Sequence, residues 1–428
     1  MTTPVTWTRY DGYKESGVDW IGRIPKHWEQ LANKRIFRLR KTLVGKQSSE
    51  HELLSLTLRG IVKRDMENPE GKFPAEFDTY QKVRPGDFVF CHFDVEETPR
   101  TVGLSEHFGM ITGAYTVYSV PNGVDSRFLL YFFTCADTDK KMRSLYKGLR
   151  NTIPKDVFGA FKTPLPPIEE QRIIAKFLDD KCAKVDEAVR IKEEQIALLR
   201  ERRQILIQEA VTRGLNPDAP MKDSGVDWIG PIPAHWEVEN PKWLFKHRKE
   251  RARKGEQQLA ATQKYGVIPQ SDFMEMEGRR VTQVFLDFGI LKHVEAGDFV
   301  MSMRSFQGGL EYSEHTGCVS SAYVALEPGP RVFAPFYKYL FKSARYIEAL
   351  QSTSNLVRDG QALRFDNFAM VMLPALPLEE QREIAEFLDG ELLKSDAGIS
   401  IKESQVAALK EYKTTLINAA VTGKIKVA

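Results

Sequence analysis

The chain has 428 residues, of which 42% are hydrophobic and 28% are charged, a composition typical of folded globular proteins and too apolar for a disordered one. Its 61 Lys and Arg against 58 Asp and Glu give a net charge of +3, so no global charge excess indicates binding to nucleic acid. The four cysteines lie far apart without a CxxC pair, and the start of the chain lacks the pattern of a signal peptide. We expect a reduced, cytoplasmic protein of about two to four domains, without a disulfide framework, zinc finger or membrane span.

An internal repeat runs through the whole chain. SGVDWIG at Ser16–Gly22 recurs at Ser224–Gly230, 208 residues later, and each copy is followed by IPKHWE or IPAHWE. PIEEQRIIAKFLD from Pro167 matches PLEEQREIAEFLD from Pro377 at an offset of 210. Repeated segments in one order at nearly one offset indicate a tandem duplication. We interpret the HWE histidines as packed or capping side chains rather than metal ligands.

Two stretches between the repeated segments differ. Residues Gln47–Gly86 and Gly255–Gly297 share little sequence, so each half is a similar frame around a dissimilar insert. Either the inserts drifted while the core stayed constant, or each insert recognises something different. Because the frame carries so little chemistry, we favour recognition.

Short predicted elements precede the long ones. Apolar or alternating runs between Gly and Pro predict strands at Gly86–Phe90, Met110–Val120 and Gly297–Met301. Phe128–Leu145 and Phe336–Leu350 have the pattern of helices. Strands and helices together in each half predict a mixed α+β domain.

Each half ends in a long, proline-free helix, predicted at Glu169–Arg213 and Glu379–Gly423 and preceded by prolines suited to a helix start. Two mostly apolar series repeat every seven residues: Ala175, Leu178, Cys182, Val185, Val189, Lys192, Ile196, Leu199, Arg203, Leu206 and Ala210 in the first helix, and Ala385, Leu388, Leu392, Ser395, Ile399, Lys402, Val406, Leu409, Lys413, Leu416 and Ala420 in the second. Such seams predict a coiled coil of two helices, each about 65 Å long. Cations at equivalent seam positions, as at Arg203 and Lys413, either set the register or mark where the helices splay.

No catalytic signature is present. A phosphate-binding GxxxxGK[ST] loop, an HExxH zinc motif, a GxSxG elbow, a glycine-rich cofactor loop and the motif of amino-methyltransferases are all missing from the sequence. We therefore expect no catalytic residue, no metal and no cofactor. The chain is predicted to bind rather than to catalyse.

Basic residues cluster locally after each HWE. No acid occurs between Glu29 and Glu50, and Lys242–Lys254 holds seven Lys and Arg against one acid. Clusters at equivalent positions of two repeats favour contact with a phosphate backbone over a solvated face.

Arginines in predicted loops are candidates for reading base edges, where a guanidinium suits guanine. Arg304 follows a predicted strand, and Arg150 and Arg358 align at an offset of 208. For each of them, plain solvation on the surface remains an alternative. The DNA-binding candidates of both kinds are Arg38, Arg40, Lys41, Arg59, Lys63, Arg64, Arg100, Arg150, Lys246, Arg248, Lys249, Arg251, Arg253, Arg279, Arg280, Arg304, Arg358 and Arg364.

SGVDWIGxIPxHWE, LPxxxEQRxIAxFLD and the IKExQxxxLxxxxxxLIxxAVTxG helix, each present twice, resemble the specificity subunit of Type I restriction–modification systems. The resemblance covers essentially the whole chain. It implies target recognition domains at 1–165 and 218–375, and long conserved helices at 166–217 and 376–428 that pack antiparallel as a spacer. Each domain of such a subunit reads one half of a bipartite double-stranded DNA target.

The resemblance also implies partners for phage defence. The subunit would direct DNA methyltransferase (modification) subunits, two in number, and restriction/translocase subunits, and it would itself be no enzyme. Two alternatives stay open: a recognition subunit of a system that only methylates, and a coiled-coil scaffold without affinity for DNA.

Overall fold

The protein is described here from a computed structural model. The described residues are 7–65, 77–280, 288–353 and 364–427. The chain forms two compact units, the first from Met1–Lys192 with Ser404–Ala428 and the second from Glu193–Glu403. Each unit therefore contains one predicted recognition domain and part of each long helix, and the division of the chain into four segments stays a prediction. Among the described residues, no helix is long and apolar enough to cross a membrane.

Short antiparallel strands dominate the first unit. Its elements are β1 (Tyr13–Glu15), β2 (Arg23–Pro25), β3 (Glu29–Ala32), α1 (Asn33–Ile36), β4 (Arg38–Arg40), a 3-10 helix (Gly45–Glu50), β5 (Leu54–Thr57), β6 (Gly60–Lys63), β7 (Gln81–Val83), β8 (Phe88–Phe90), β9 (Val102–Leu104), β10 (Gly109–Ile111), β11 (Thr116–Ser119), α2 (Ser126–Thr138), a 3-10 helix (Arg143–Leu145), α3 (Lys155–Ala160), β12 (Lys162–Leu165) and the start of α4 (Ile168–Arg213). A four-stranded sheet has the order β4-β11-β8-β9. The pairs β1–β2, β3–β12, β5–β6 and β7–β10 accompany it.

The second unit repeats this topology. Its elements are β13 (Met221–Asp223), β14 (Pro231–Pro233), β15 (Glu237–Glu239), α5 (Pro241–Leu244), β16 (Phe245–Arg248), β17 (Leu259–Thr262), β18 (Gly266–Pro269), α6 (Gln270–Glu277), a 3-10 helix (Phe288–Ile290), β19 (Lys292–Val294), β20 (Phe299–Met301), α7 (Ser305–Gly308), β21 (Glu311–Tyr312), β22 (Gly317–Val319), β23 (Val324–Pro328), α8 (Ala334–Leu340), α9 (Ala344–Ser352), α10 (Phe365–Ala369), β24 (Leu373–Ala375) and the start of α11 (Leu378–Val421). Its sheet order is β16-β23-β20-β21, with pairs β13–β14, β15–β24, β17–β18 and β19–β22. The α+β duplication is confirmed, and the inserts pair their strands alike despite their different sequences.

An aromatic core fills each unit at equivalent places. The ring of Phe37 lies 5.5 Å from that of Phe88 and 5.7 Å from that of Phe158. Phe245, 208 residues later, lies 5.8 Å from Phe299. All of these side chains are buried, and each buried aromatic ring contributes about 1.5–3 kcal/mol to its unit.

Every predicted seam position of the two long helices is buried or half-buried, as the heptad pattern predicts. In the first unit, Lys413 Nζ donates to Asp186 Oδ1 at 2.6 Å. In the second, Arg203 Nη1 donates to Asp396 Oδ1 at 2.5 Å. Within the second unit, Gln195 of α4 contacts Lys402 of α11 and Arg203 contacts Asp396, so these segments of the two helices run antiparallel. Since both residues of one ion pair are the 210-offset equivalents of the other pair, these seam cations set a repeated register.

The repeated HWE and EEQR motifs fasten each unit to the start of a long helix. His27 Nε2 lies 2.8 Å from a carboxylate oxygen of Glu170, and the buried Trp28 indole donates to the same carboxylate at 3.1 Å. His235 Nε2 lies 2.8 Å from Glu380 in the same way. These motifs are structural in both units.

Three predicted elements are each divided in two. Met110–Val120 is not one strand, because a turn at residues 112–115 separates β10 from β11. Phe128–Leu145 and Phe336–Leu350 are each two helical segments rather than one. In the first of these, Lys140 has a φ of 49°, which a continuous helix does not allow. The apolar pattern of the sequence continues across these breaks, so the sequence alone predicts one element where the structure has two.

Candidate nucleic-acid interface

Two arginines that align between the basic clusters are bound to carboxylates of their own units. Arg248, with 8% of its side chain exposed, donates from Nε to Asp298 Oδ2 at 2.6 Å and from Nη2 to Oδ1 at 3.1 Å. Arg40 Nε lies 3.3 Å from Asp87, the equivalent aspartate. Burial raises the pKa of both aspartates, and the guanidinium groups oppose that rise. Arg248 thus neutralises a buried carboxylate, and its guanidinium faces protein rather than an open surface.

Arg100 and Arg150 differ in exposure although both form ion pairs. Arg100, with 18% of its side chain exposed, lies 3.5 Å from the buried carboxylate of Asp137. Arg150 is exposed, donates from Nε to Asp94 Oδ1 at 2.9 Å, and lies 5.5 Å from the centroid of the Phe93 ring. The hydrogen bond from Arg150 lowers the pKa of Asp94. Arg150 is therefore held in one orientation at the surface, while Arg100 is part of the interior.

The other candidates of the first unit reach its surface. They are Arg38, Lys41, Arg59, Lys63 and Arg64, all exposed or half-exposed. Arg59 stands at the tip of the β5–β6 hairpin beside Leu58, which is 67% exposed. Its backbone N–H donates to Thr57 Oγ1 at 3.1 Å, which orders the turn. The tip presents one cation and one apolar side chain.

Basic side chains of the second unit are also exposed: Lys246, Lys249, Arg251, Arg253, Arg279, Arg280 and Arg364. Arg251 Nη1 donates to the carbonyl of Ile290 at 3.1 Å. Lys249 follows Arg248 directly, and its side chain is exposed where that of Arg248 is buried. Arg358 lies outside the described residues.

Arg304 and the tip of the β17–β18 hairpin form one surface, which we call the Arg304 surface (Gln263, Lys264 and Arg304). Arg304 is exposed and immediately precedes α7, and Gln263 Nε2 contacts its carbonyl oxygen at 3.5 Å. A Cβ on Gly308 would fall 2.5 Å from Gln263 Nε2, so the glycine lets the two segments meet. Sequence reasoning missed Gln263 because it considered only basic side chains. The TQKYG turn between two strands was the available signal.

Comparison with known proteins finds similarity to type I restriction specificity subunits. Residues 106–199 match the family model described as the type I restriction modification DNA specificity domain. The MjaX type I restriction enzyme specificity subunit of Methanocaldococcus jannaschii is 24% identical, over 95% of this chain and 96% of that protein. The MjaVIII specificity subunit of the same organism is 25% identical over 71% of each chain.

Two solved structures share the fold. A chain from a structural study of complex assembly and conformational transition of the type I R-M system has a TM-score of 0.68 at 15% identity, covering 93% of this chain and 98% of that one. The HsdS subunit from Thermoanaerobacter tengcongensis has a TM-score of 0.53 at 16% identity, covering 94% of this chain and 98% of that one. The likeness therefore extends over both units.

Proposed function

We propose that this chain, which belongs to the family of type I restriction specificity subunits, recognises a bipartite site in double-stranded DNA, one half-site for each unit. The observation that carries the proposal is the repeat of one topology around different exposed side chains. At the hairpin tip the first unit presents Leu58 and Arg59, and the second presents Gln263 and Lys264. Two units with the same fold and different exposed side chains suit a DNA target whose two half-sites differ in sequence.

Exposed cations and hairpin tips would divide the work of recognition. Lys41 and Lys249 lie on the surface just beyond β4 and β16, where they would hold phosphates without regard to sequence. Arg59, Gln263 and Arg304 are polar, exposed and close to ordered backbone, as readers of base edges need to be. Phosphate contacts would thus position each unit, and the tips would give specificity.

Partner subunits would supply the chemistry. We assign methylation to two modification subunits and translocation and cleavage to restriction subunits, with this chain directing both to the site in the cytoplasm. Without partners, the purified chain is expected to bind DNA and to show no methyltransferase, nuclease or ATPase activity. Turnover by the homogeneous chain, measured with labelled methyl donor and with ATP, would contradict this assignment.

Domain exchange tests the two-reader proposal. Replacing residues 1–165 with the corresponding segment of another family member should change one half of the selected site and leave the other half as it was. Duplexes enriched from a random library are sequenced for parent and chimaera, with the salt dependence of binding as a check on phosphate contacts. If both half-sites change together, the units do not read independently. If neither protein enriches any sequence, the chain is a scaffold without DNA specificity.

A further inference from the structure

We propose that Gln263 and Arg304 read neighbouring base pairs, an A·T pair and a G·C pair, within the half-site of the second unit. The inference rests on the proposed function and goes further by naming two bases of the target. It comes from the juxtaposition of two exposed, uncommitted side chains whose hydrogen-bonding patterns match different bases.

The two side chains start from backbone segments in contact. Gln263 Nε2 reaches the Arg304 carbonyl oxygen at 3.5 Å, the outer limit of a hydrogen bond, so this contact is easily exchanged for a stronger one. Gly308 has no side chain between the two segments, and a Cβ there would clash with Gln263. Base pairs in a duplex are stacked about 3.4 Å apart, so side chains from touching segments reach neighbouring pairs.

Neither side chain is committed to the protein interior. Both are exposed, and among the described residues no carboxylate lies within ion-pair distance of the Arg304 guanidinium. Arg40, Arg100, Arg150 and Arg248, in contrast, each form an ion pair with an aspartate. Arg304 is thus available for a bidentate contact with a base. The other four arginines would first have to break an ion pair.

Hydrogen bonds and close packing order the hairpin that carries Gln263, and a preorganised side chain lowers the entropic cost of reading a base. The Tyr265 backbone N–H donates to Thr262 Oγ1 at 3.0 Å, and Thr262 Oγ1 donates to the Gly266 carbonyl at 3.1 Å. Tyr265 Oη donates to Glu277 Oε1 at 3.0 Å, which ties the hairpin to α6. Gly266 has a φ of 72°, and a Cβ on it would lie 2.9 Å from the Tyr312 carbonyl, so the turn sits directly on β21.

Side-chain chemistry assigns the bases. A glutamine carboxamide presents an N–H donor beside a carbonyl acceptor; in the major groove the N–H donates to N7 of adenine and the carbonyl accepts from its N6 amino group. An arginine guanidinium offers two parallel donors, which pair with O6 and N7 of guanine. The corresponding tip of the first unit carries Leu58 and Arg59 instead, so it would not read the same pair of bases.

Selection from a random duplex library by the full-length chain tests the inference. The wild-type half-site of the second unit should contain adjacent A·T and G·C pairs. Gln263→Ala should lose preference only at the A·T position and Arg304→Ala only at the G·C position, each by roughly 5- to 150-fold. Gln263→Arg should convert the A·T preference into one for G·C. Gln257 is an exposed glutamine just before β17 of the same hairpin. Its substitution Gln257→Ala is the matched control and should leave the selected DNA sequence unchanged.

Each result decides the matter. A wild-type half-site without the two neighbouring pairs, or a Gln263→Ala site equal to that of the wild type, overturns the inference while leaving sequence-specific binding intact. Uniformly weaker binding of Arg304→Ala to all sequences makes Arg304 a phosphate contact and also overturns it. If the wild-type chain enriches no sequence, the proposed function itself is wrong, and this inference fails with it.

Discussion

Arg248 and Lys249 are consecutive residues of one basic cluster, yet the structure gives them opposite roles. The substitution Arg248→Ala leaves the carboxylate of Asp298, only 2% exposed, without its guanidinium partner. The substitution Lys249→Ala removes an exposed ammonium group. We expect the first change to act on the stability of the second unit and the second to act on binding to DNA.

The magnitude follows from the surroundings of Asp298. Removing one partner of a buried ion pair costs about 3–5 kcal/mol. Asp298 Oδ2 keeps a hydrogen bond from the Glu295 backbone N–H at 2.9 Å, so we expect the lower end, about 3 kcal/mol. An exposed substitution such as Lys249→Ala costs at most about 0.5 kcal/mol. In DNA binding, Lys249→Ala should reduce the slope of log K against log salt by about one, and Arg248→Ala should leave it unchanged.

Hydrogen exchange followed by mass spectrometry measures each unit separately in the full chain. Peptides from β16 and β20 should lose protection in Arg248→Ala, while those from β4 and β8 of the first unit serve as the internal reference. Because burial raises the pKa of Asp298, lowering the pH protonates it, and a neutral carboxyl needs no guanidinium. The stability difference between wild type and Arg248→Ala should therefore shrink as the pH falls.

Two outcomes would refute this reasoning. One is unchanged protection of the second unit in Arg248→Ala at neutral pH. The other is a loss of salt dependence in Arg248→Ala as large as that in Lys249→Ala. A double variant, Arg248→Ala with Asp298→Asn, should regain part of the stability, because no buried charge is then left unpaired. The equivalent pair in the first unit, Arg40→Ala against Lys41→Ala, should show the same contrast with a smaller effect, since 29% of the Arg40 side chain is exposed.

Three further predictions concern stability and spacing. Burial lowers the pKa of His92 to about 4, so below about pH 6.5 the unfolded chain binds a proton at this residue and the folded first unit does not. The free energy of unfolding of the first unit should therefore fall by about 3 kcal/mol between pH 6.5 and 4. Denaturation measured over this pH range should show a flatter dependence for His92→Phe. Truncation after Glu403 removes core residues such as Leu416, so limited proteolysis should degrade the first unit and spare Glu193–Glu403; survival of both units would contradict the division seen here. Deleting Ala197–Arg203 together with the opposite segment 396–402 removes one heptad from each helix, keeps the apolar seam in phase and shortens the helices by about 10 Å, the length of about 3 base pairs. The variant should lose its original DNA site and select a site with a shorter spacer. Undiminished binding to the original site would show that the helices do not set the spacing.

Sequence alone determined the duplication, the α+β class, the long helices and their seam. These features depend on patterns that persist over many residues, and local periodicity records them directly. The antiparallel direction of the helices was implied by the resemblance, and the contacts Gln195–Lys402 and Arg203–Asp396 within the second unit agree with it. That direction also decides which heptads face each other, since the segment opposite Ala197–Arg203 is 396–402 and not its repeat equivalent 407–413.

Only the tertiary structure decided which basic residues remain available at the surface. Charge clusters in a sequence do not show where the acids of distant strands lie, and Asp298 is 50 residues away from Arg248 along the chain. A buried carboxylate left without a partner would cost about 3–5 kcal/mol, so Arg248 is held beside Asp298 while Lys249 next to it stays exposed. The tertiary structure likewise added Gln263 to the candidate surface, because the β17–β18 hairpin places it against Arg304, 41 residues away along the chain. Proximity of this kind arises from strand pairing and packing, which composition and periodicity do not record.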